Sequence, residues 1–198
     1  MKRFTIILLL FLSLMCSAKT RVHTEASWGY SPQVFVAKAF AYIPNGVGYR
    51  VEEYDNNFSY INNAFLKISS GIEVLDKVSI GIKTGIQRID EKYNVIPLEL
   101  ELKYFFRSTE KNGIYLLLEG GTALHEWNFQ DDILLGAAGL GYREQLYKSL
   151  NINFFIQLQG LSCHPLPIDK YEGVIPRERV VFSLIAYTGL VFGVGIGF

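Results

Sequence analysis

The chain has 198 residues and equal numbers of basic and acidic side chains, 19 of each, so its formal net charge is zero. That balance leaves no basic excess to neutralise phosphates and argues against nucleic acid as a partner. Phe, Tyr and Trp make up 14% of the chain and Gly contributes 18 residues, a composition that leans towards β structure.

The N-terminus reads as a secretory signal. Lys2 and Arg3 give the positive region, residues 4–15 form an apolar run broken only by Thr5 and Ser13, and Cys16-Ser17-Ala18 supplies small residues for cleavage after Ala18. The run is too short for a comfortable membrane-spanning helix. Acylation at Cys16 is the alternative, but Met15 is not the small residue such a site wants before its cysteine. The expected organisation is a signal peptide over 1–18 and one exported domain over 19–198. Only Cys163 then remains, so no internal disulfide can form.

After residue 18 no run is long and apolar enough for a spanning helix; the dominant period is two, the signature of strands with two unlike faces. A first strand near 22–30 sets Val22, Ala26, Trp28 and Tyr30 against His23, Glu25, Ser27 and Gly29. Residues 31–63 follow as a long connection. Its segment SPQVFVAKAFAYIPNG is open to three readings, a short helix, a strand extension or an apolar lid, and the next segment, VEEYDNNFSY, reads as an acidic, aromatic, exposed surface.

The second strand, 64–74, alternates Leu66, Ile68, Ile72 and Val74 with Lys67, Ser69, Gly71 and Glu73. The third, 78–87, sets Val78, Ile80, Ile82 and Ile86 against Ser79, Gly81, Lys83, Gly85 and Gln87. The fourth, LELELKYFFR at 98–107, is the clearest: Leu98, Leu100, Leu102, Tyr104 and Phe106 oppose Glu99, Glu101, Lys103, Phe105 and Arg107. A helix would scatter those charges around its circumference. The fifth, 114–125, opposes Ile114, Leu116, Leu118 and Leu124 to Tyr115, Glu119, Gly121 and His125. The sixth, 134–145, opposes Leu134, Ala138, Leu140 and Tyr142 to Ala137, Gly139, Gly141, Arg143 and Gln145. The seventh, 150–161, opposes Ile152, Phe154, Ile156 and Leu158 to Asn151, Asn153, Gln157 and Gln159. The eighth, 181–198, opposes Leu184, Leu190, Phe192, Val194, Ile196 and Phe198 to Ser183, Tyr187 and a row of glycines.

These strands are longer than the five or six residues usual in soluble sheets and match the ~9–11 residues that cross a bilayer. Connections at 75–77, 108–112 and 147–149 are short; those at 31–63, 90–96, 126–133 and 162–180 are longer, the alternation of an outer-membrane barrel. The polar face is the expected interior. It is rich in small residues, as a narrow lumen requires, and its charges balance: Glu25, Glu73, Glu99, Glu101 and Glu119 against Lys67, Lys83, Lys103, Arg107 and Arg143. Trp28, Tyr30, Tyr104, Phe106, Tyr142 and Phe198 sit near outward strand ends, where interfacial aromatics belong.

The ordered segments VIPLELELKYFF, GIYLLLEGG, LLGAAGLGYREQL and terminal GLVFGVGIGF resemble the small eight-stranded bacterial outer-membrane β-barrel proteins of the OmpX and OmpA-transmembrane type, within the wider porin-like group. The resemblance covers essentially all of residues 19–198. It implies an all-β, eight-stranded antiparallel up-and-down transmembrane β-barrel with short periplasmic turns and longer extracellular loops. It also implies an outer-membrane location, contact with outer-membrane lipid, and insertion by the barrel-assembly machinery, which reads the terminal Phe198. It implies no single activity and no cofactor, and it leaves any extracellular ligand open.

Two other readings stay open. Some barrels of this size modify lipid A, and a hydrolase would need a nucleophile, a base and an acid. Ser162 and His164 in LSCHPLP, with Glu126 or Glu178, are the candidates. The barrel-type lipid A deacylases carry His-x-Ser-Asn, whereas the order here is Ser-x-His with no Asn, and Pro165 interrupts the strand. The third reading is a soluble, exported, lipocalin-like barrel with its apolar face inside. His23, His125 and His164 fall near opposite strand ends, so no metal site is expected. GVGYR at 46–50 lacks phosphate-loop spacing, and EGG and GAAGLG lie within strands. The favoured expectation is a non-enzymatic barrel, plugged by side chains, whose loops serve binding or envelope integrity.

Overall fold

The computed structural model describes residues 21–45, 48–90, 93–125, 133–147 and 149–198, without the side chains of Ser59, Asp90, Tyr93 and His125. The expected signal peptide and Glu126 lie outside these residues. In chain order the strands are β1 Arg21–Tyr30, β2 Gln33–Tyr42, β3 Val51–Ile61, β4 Ala64–Leu75, β5 Val78–Asp90, β6 Tyr93–Phe105, β7 Gly113–His125, β8 Ile133–Tyr147 and β9 Leu150–Cys163. A two-stranded ribbon, β10 Ile168–Asp169 with β11 Gly173–Val174, and a 3-10 turn at Arg177–Arg179 precede β12 Val180–Gly197. Among the described residues there is no α-helix.

Eight strands close into an antiparallel barrel in the order β1-β4-β5-β6-β7-β8-β9-β12, with β12 returning to β1. The last strand seals the first: Thr24 N–H donates to the Phe198 carbonyl at 3.1 Å and Phe198 N–H to the Thr24 carbonyl at 2.8 Å. Closure leaves no free edge in this ring. Partners followed round the wall from Tyr30 run through Phe192, Ile156, Leu140, Leu116, Tyr104 and Val78 to Leu75 on β4. Tyr30 itself pairs with Ala64, far from Leu75 on the same strand. That stagger is the strand tilt a closed sheet requires.

Of the three readings open for SPQVFVAKAFAYIPNG, the structure adopts the strand extension, as β2. β2 takes over from β1 along the same edge of β12, and β3 pairs with β2, so the hairpin prolongs the first two barrel strands beyond the ring. The breaks fall at Ser31-Pro32 and Asn62-Asn63. Pro32 has no N–H for the ladder. It serves as acceptor instead, its carbonyl taking the Leu190 N–H at 3.1 Å, while Ser31 N–H reaches the Asn63 carbonyl at 2.7 Å. Gly189 makes this junction possible, because a Cβ there would strike the Pro32 carbonyl.

Two further expectations are corrected. Residues 90–96 are not a long loop: β5 runs to Asp90 and β6 starts at Tyr93. Ile89 and Val95 keep the strand phase there because both are buried in an apolar cluster inside the barrel. At the other end β6 stops at Phe105, so Arg107 lies past the strand and is exposed, not lumenal. The connection 106–112 folds across the mouth instead. Thr109 is 3% exposed and its N–H bonds to the Asp76 carbonyl at 2.9 Å.

Alternation decides inside from outside. Leu98 and Leu100 are 54% and 64% exposed, whereas Glu99, Glu101 and Lys103 are all buried. The same phase holds on the other barrel strands, so the outer wall is apolar and the buried charges face the lumen. Room for bulky lumen side chains comes from glycine on the adjacent strand. Tyr115 lies over Gly141, its register partner, and Phe155 over Gly193, so that a Cβ at either glycine would enter the ring. Each aromatic thereby covers backbone that a glycine leaves bare.

Gly141→Ala is expected to lower stability by about 1–3 kcal/mol through overpacking against Tyr115. Gly136→Ala, whose Cβ would meet nothing within 4 Å, is expected to change it little. Urea unfolding in detergent micelles measures both.

Candidate functional site

The inward positions of six strands assemble one charged cluster. Lys67 Nζ lies 2.8 Å from Glu99, Lys83 Nζ 2.7 Å from Glu101 and in contact with Glu119, and Lys103 Nζ 2.8 Å from Glu25 and 2.9 Å from Glu101. Asn153 donates through Nδ2 to Glu25 at 2.7 Å and accepts at Oδ1 from Arg143 Nε at 3.0 Å, and Arg143 Nη1 donates to the Thr109 carbonyl at 2.8 Å. The cluster thus runs continuously from mid-barrel to the turn that covers the short-turn mouth.

Four cations, Lys67, Lys83, Lys103 and Arg143, meet four buried carboxylates, Glu25, Glu99, Glu101 and Glu119. Removing such groups from water costs several kcal/mol per ion, which only close pairing and further hydrogen bonds offset. Each cation also stands over an aromatic ring: Lys67 over Phe65, Lys83 over Phe155, Lys103 over Tyr115, and Arg143 over Phe105 at 4.4 Å. Ring faces attract desolvated cations, so the aromatics that cover the glycines also supply the charges with a second kind of partner. Glu73, at the end of β4, is only half-buried, and Arg107 stands outside.

Above the charges lies a layer of neutral groups. Gln87 Nε2 donates to Gln159 Oε1 at 2.8 Å, Ser31 Oγ donates to the same oxygen at 3.1 Å, and Asn63 Nδ2 donates to the Ile89 carbonyl at 2.8 Å. Above that again Ile89, Val95, Ala123, Ile133, Leu135, Leu161 and Cys163 form an apolar cluster, joined by Ile185 and Tyr187. This third layer was not foreseen from sequence. Its signal was present in Leu135, Leu161 and Cys163, apolar residues in inward register near the ends of β8 and β9.

The hydrolase candidates do not converge. Ser162 sits on the wall of β9, paired with Leu134 and Ala186 on the outward register. His164 lies past the strand end, lining a cavity of about 300 Å³ with Pro165, Leu166 and Arg177. Glu178 is exposed on the 3-10 turn, and Glu126 is outside the described residues. Among the described residues no hydrogen bond joins Ser162, His164 and Glu178. His23 Nε2 lies 3.1 Å from Ser79 Oγ at the barrel end remote from His164; the His125 side chain is outside the described set. No group of three or more metal-ligating side chains occurs among the described residues.

At the long-loop rim the segment between β9 and β12 docks on the β2–β3 hairpin. Tyr42 Oη is 3.1 Å from Glu53 and 3.2 Å from Asp169. One phenol carries one proton, so it donates to one carboxylate at a time. Arg179 ties the same segment through Glu172 at 2.8 Å and the Ile43 carbonyl at 3.5 Å, and Ile43 N–H bonds back to the Arg179 carbonyl at 2.9 Å. Burial, then the two carboxylates, pushes the Tyr42 hydroxyl above its ordinary range. The Tyr171 N–H, then the Glu172 N–H and Tyr42, hold the Asp169 carboxyl below its ordinary range.

No family model matches the chain, and no curated protein sequence matches it. Among solved structures it is similar to the outer membrane protease OmpT from Escherichia coli, at 8% identity and TM-score 0.41, over 89% of this chain and 96% of that one. It is also similar to the type III secretion injectisome secretin InvG of Salmonella in its open gate state, at 9% identity and TM-score 0.24. That match covers 98% of this chain and 64% of the secretin chain.

Lys83→Met leaves Glu101 and Glu119 short of a counter-charge and is expected to cost about 3–5 kcal/mol. The paired replacement Lys67→Met with Glu99→Leu is expected to cost far less, both read from urea unfolding in micelles. A depressed carboxyl stabilises above its ordinary pKa and loses that contribution as pH falls through its folded value. Amide exchange of residues 168–175, corrected for intrinsic rate, is therefore expected to accelerate below about pH 4 and to be faster at pH 7 in Asp169→Asn.

Proposed function

We propose that this chain is a non-enzymatic outer-membrane β-barrel protein whose lumen is plugged by its own side chains. Its long-loop end then holds a rigid hairpin above the membrane for binding or envelope integrity. The observation that carries this reading is the apolar outer wall. Outward Leu, Ile, Phe and Trp side chains are exposed across the eight ring strands while the charges of the lumen cluster are buried. Soluble proteins rarely expose contiguous apolar patches beyond a few hundred Å², and lipid is the surrounding that such a belt suits. Exposed Tyr104, Phe106, Tyr142, Tyr147 and Phe198 near one rim, and Trp28, Tyr30 and Tyr60 towards the other, match interfacial girdles.

The soluble lipocalin-like alternative needs an apolar interior and a polar exterior, and the faces are reversed. Among the described residues no assembled catalytic group supports the hydrolase alternative. In the membrane reading the short-turn rim is periplasmic. The partners are outer-membrane lipid throughout and the barrel-assembly machinery during insertion. The surface offered outside is the hairpin, where Tyr54 and Phe58 are 70% and 86% exposed beside Glu52, Glu53 and Asp55.

Cell fractionation with heat-modifiable gel mobility tests this. The expected result is a protein resistant to urea and carbonate extraction that migrates differently before and after boiling; extraction by either agent would sink the membrane reading. Lipid A mass spectra with and without the protein are expected to be identical, and a change abolished by Ser162→Ala would replace this reading with the hydrolase.

A further inference from the structure

The outer wall carries a groove as well as a belt. Outward side chains of five neighbouring strands border a shallow, open hollow of about 780 Å³, lined by Trp28, Tyr30, Phe192, Phe154, Leu140 and Tyr142 among others. The groove follows the register line from Trp28 through Val194, Phe154 and Tyr142 to Ile114, so it climbs obliquely across β1, β12, β9, β8 and β7. At its low end Ile114 and Tyr142 also line a second hollow of about 570 Å³, completed by Phe106, Arg107, Asn112 and Gly113 at the short-turn rim. The two hollows share a wall and make one trough with an apolar body and a polar mouth.

The mouth holds two opposite charges that do not pair with each other. Arg107 is exposed with its stem over Gly113, and among the described residues no carboxylate lies within ion-pairing distance of it. Glu144, nearby, is engaged by Tyr142 Oη and Asn112 Nδ2, each at 2.8 Å. A guanidinium beside apolar and aromatic surface suits a phosphate, which it can grip through two N–H groups. A carboxylate with free lone pairs suits an ammonium and repels a further anion.

We propose that this trough is a site for one zwitterionic aminophospholipid of the leaflet at the short-turn rim. Its phosphate sits on Arg107, its ammonium faces Glu144, and its acyl chains lie along Tyr142, Phe154 and Phe192. The site rests on the membrane reading, since only a lipid-facing wall meets such a molecule. Arg107 thus has a use that its sequence register concealed. It was expected to balance charge in the lumen, and by ending β6 early the fold delivers it to the rim.

The test is native mass spectrometry of the protein extracted in mild detergent, with titration of phosphatidylethanolamine and phosphatidylglycerol. The wild type is expected to retain one phosphatidylethanolamine, and Arg107→Ala to weaken retention at least tenfold, as does Ile114→Trp by filling the mouth. Lys111→Ala, an exposed cation on the same turn, is expected to leave retention unchanged. Equal retention by Arg107→Ala and wild type, or phosphatidylglycerol held as tightly as phosphatidylethanolamine, would overturn the site. Heat-modifiable mobility of each variant separates loss of the site from loss of folding. A chain extractable from membranes defeats the membrane reading itself, whereas an inserted barrel with unselective lipid retention defeats only the trough.

Discussion

The fold depends on shutting four positive and four negative side chains inside a ring of eight strands. Those charges are stable there only as a set, because Lys83 serves two carboxylates and Glu101 serves two lysines. The set can assemble only if each strand keeps its register, since a slip by one residue would turn the charges outwards and the leucines inwards. Wall and lumen therefore specify each other. Backbone hydrogen bonds close the ring, and the ion pairs fix which residues face each other across it.

Aromatic rings mediate between the two. Phe65, Phe105, Tyr115 and Phe155 occupy a lumen that is otherwise charged, with Leu117 and Val191 beside them. Phe65, Tyr115 and Phe155 take up volume that glycine on a neighbouring strand releases, and all four rings present a face to a lysine or arginine. A lumen filled only by ion pairs would leave gaps between long side chains, and one filled only by aromatics would leave the charges unpartnered. The mixture achieves dense packing with polar satisfaction, which an interior without bulk water needs.

Most of this was legible because period two is unambiguous when charges mark one phase. LELELKYFFR places Glu99, Glu101 and Lys103 inside without help from anything distant. What sequence hid follows from weaker local marks. Residues 90–96 carry turn-like DEKYN before VI, so the continuation of β5 and β6 rested on the burial of Ile89 and Val95, a tertiary fact. The hairpin of β2 and β3 needed the long edge of β12, which extends past β9 and is visible only once the ring is closed. Arg107 kept the alternation in sequence, but alternation places a side chain only while the strand lasts, and β6 ends at Phe105.

The lumen is layered along its axis, and the order of layers has a consequence for transport. At the short-turn mouth Thr109 plugs the opening and its carbonyl holds Arg143. In the middle, interlocked ion pairs occupy the cross-section. Towards the long-loop rim the wall turns inwards with Ile133, Leu135, Leu161 and Cys163, which offer an ion nothing to replace its hydration. An ion crossing this barrel would have to displace a buried turn, break paired charges and then lose its water in an apolar collar. Each barrier has a different physical origin, so no one change of charge state removes all three. The interior is built as a plug, and on the reading proposed above the surfaces carry the chemistry: the hairpin at the long-loop end, and the oblique trough on the wall.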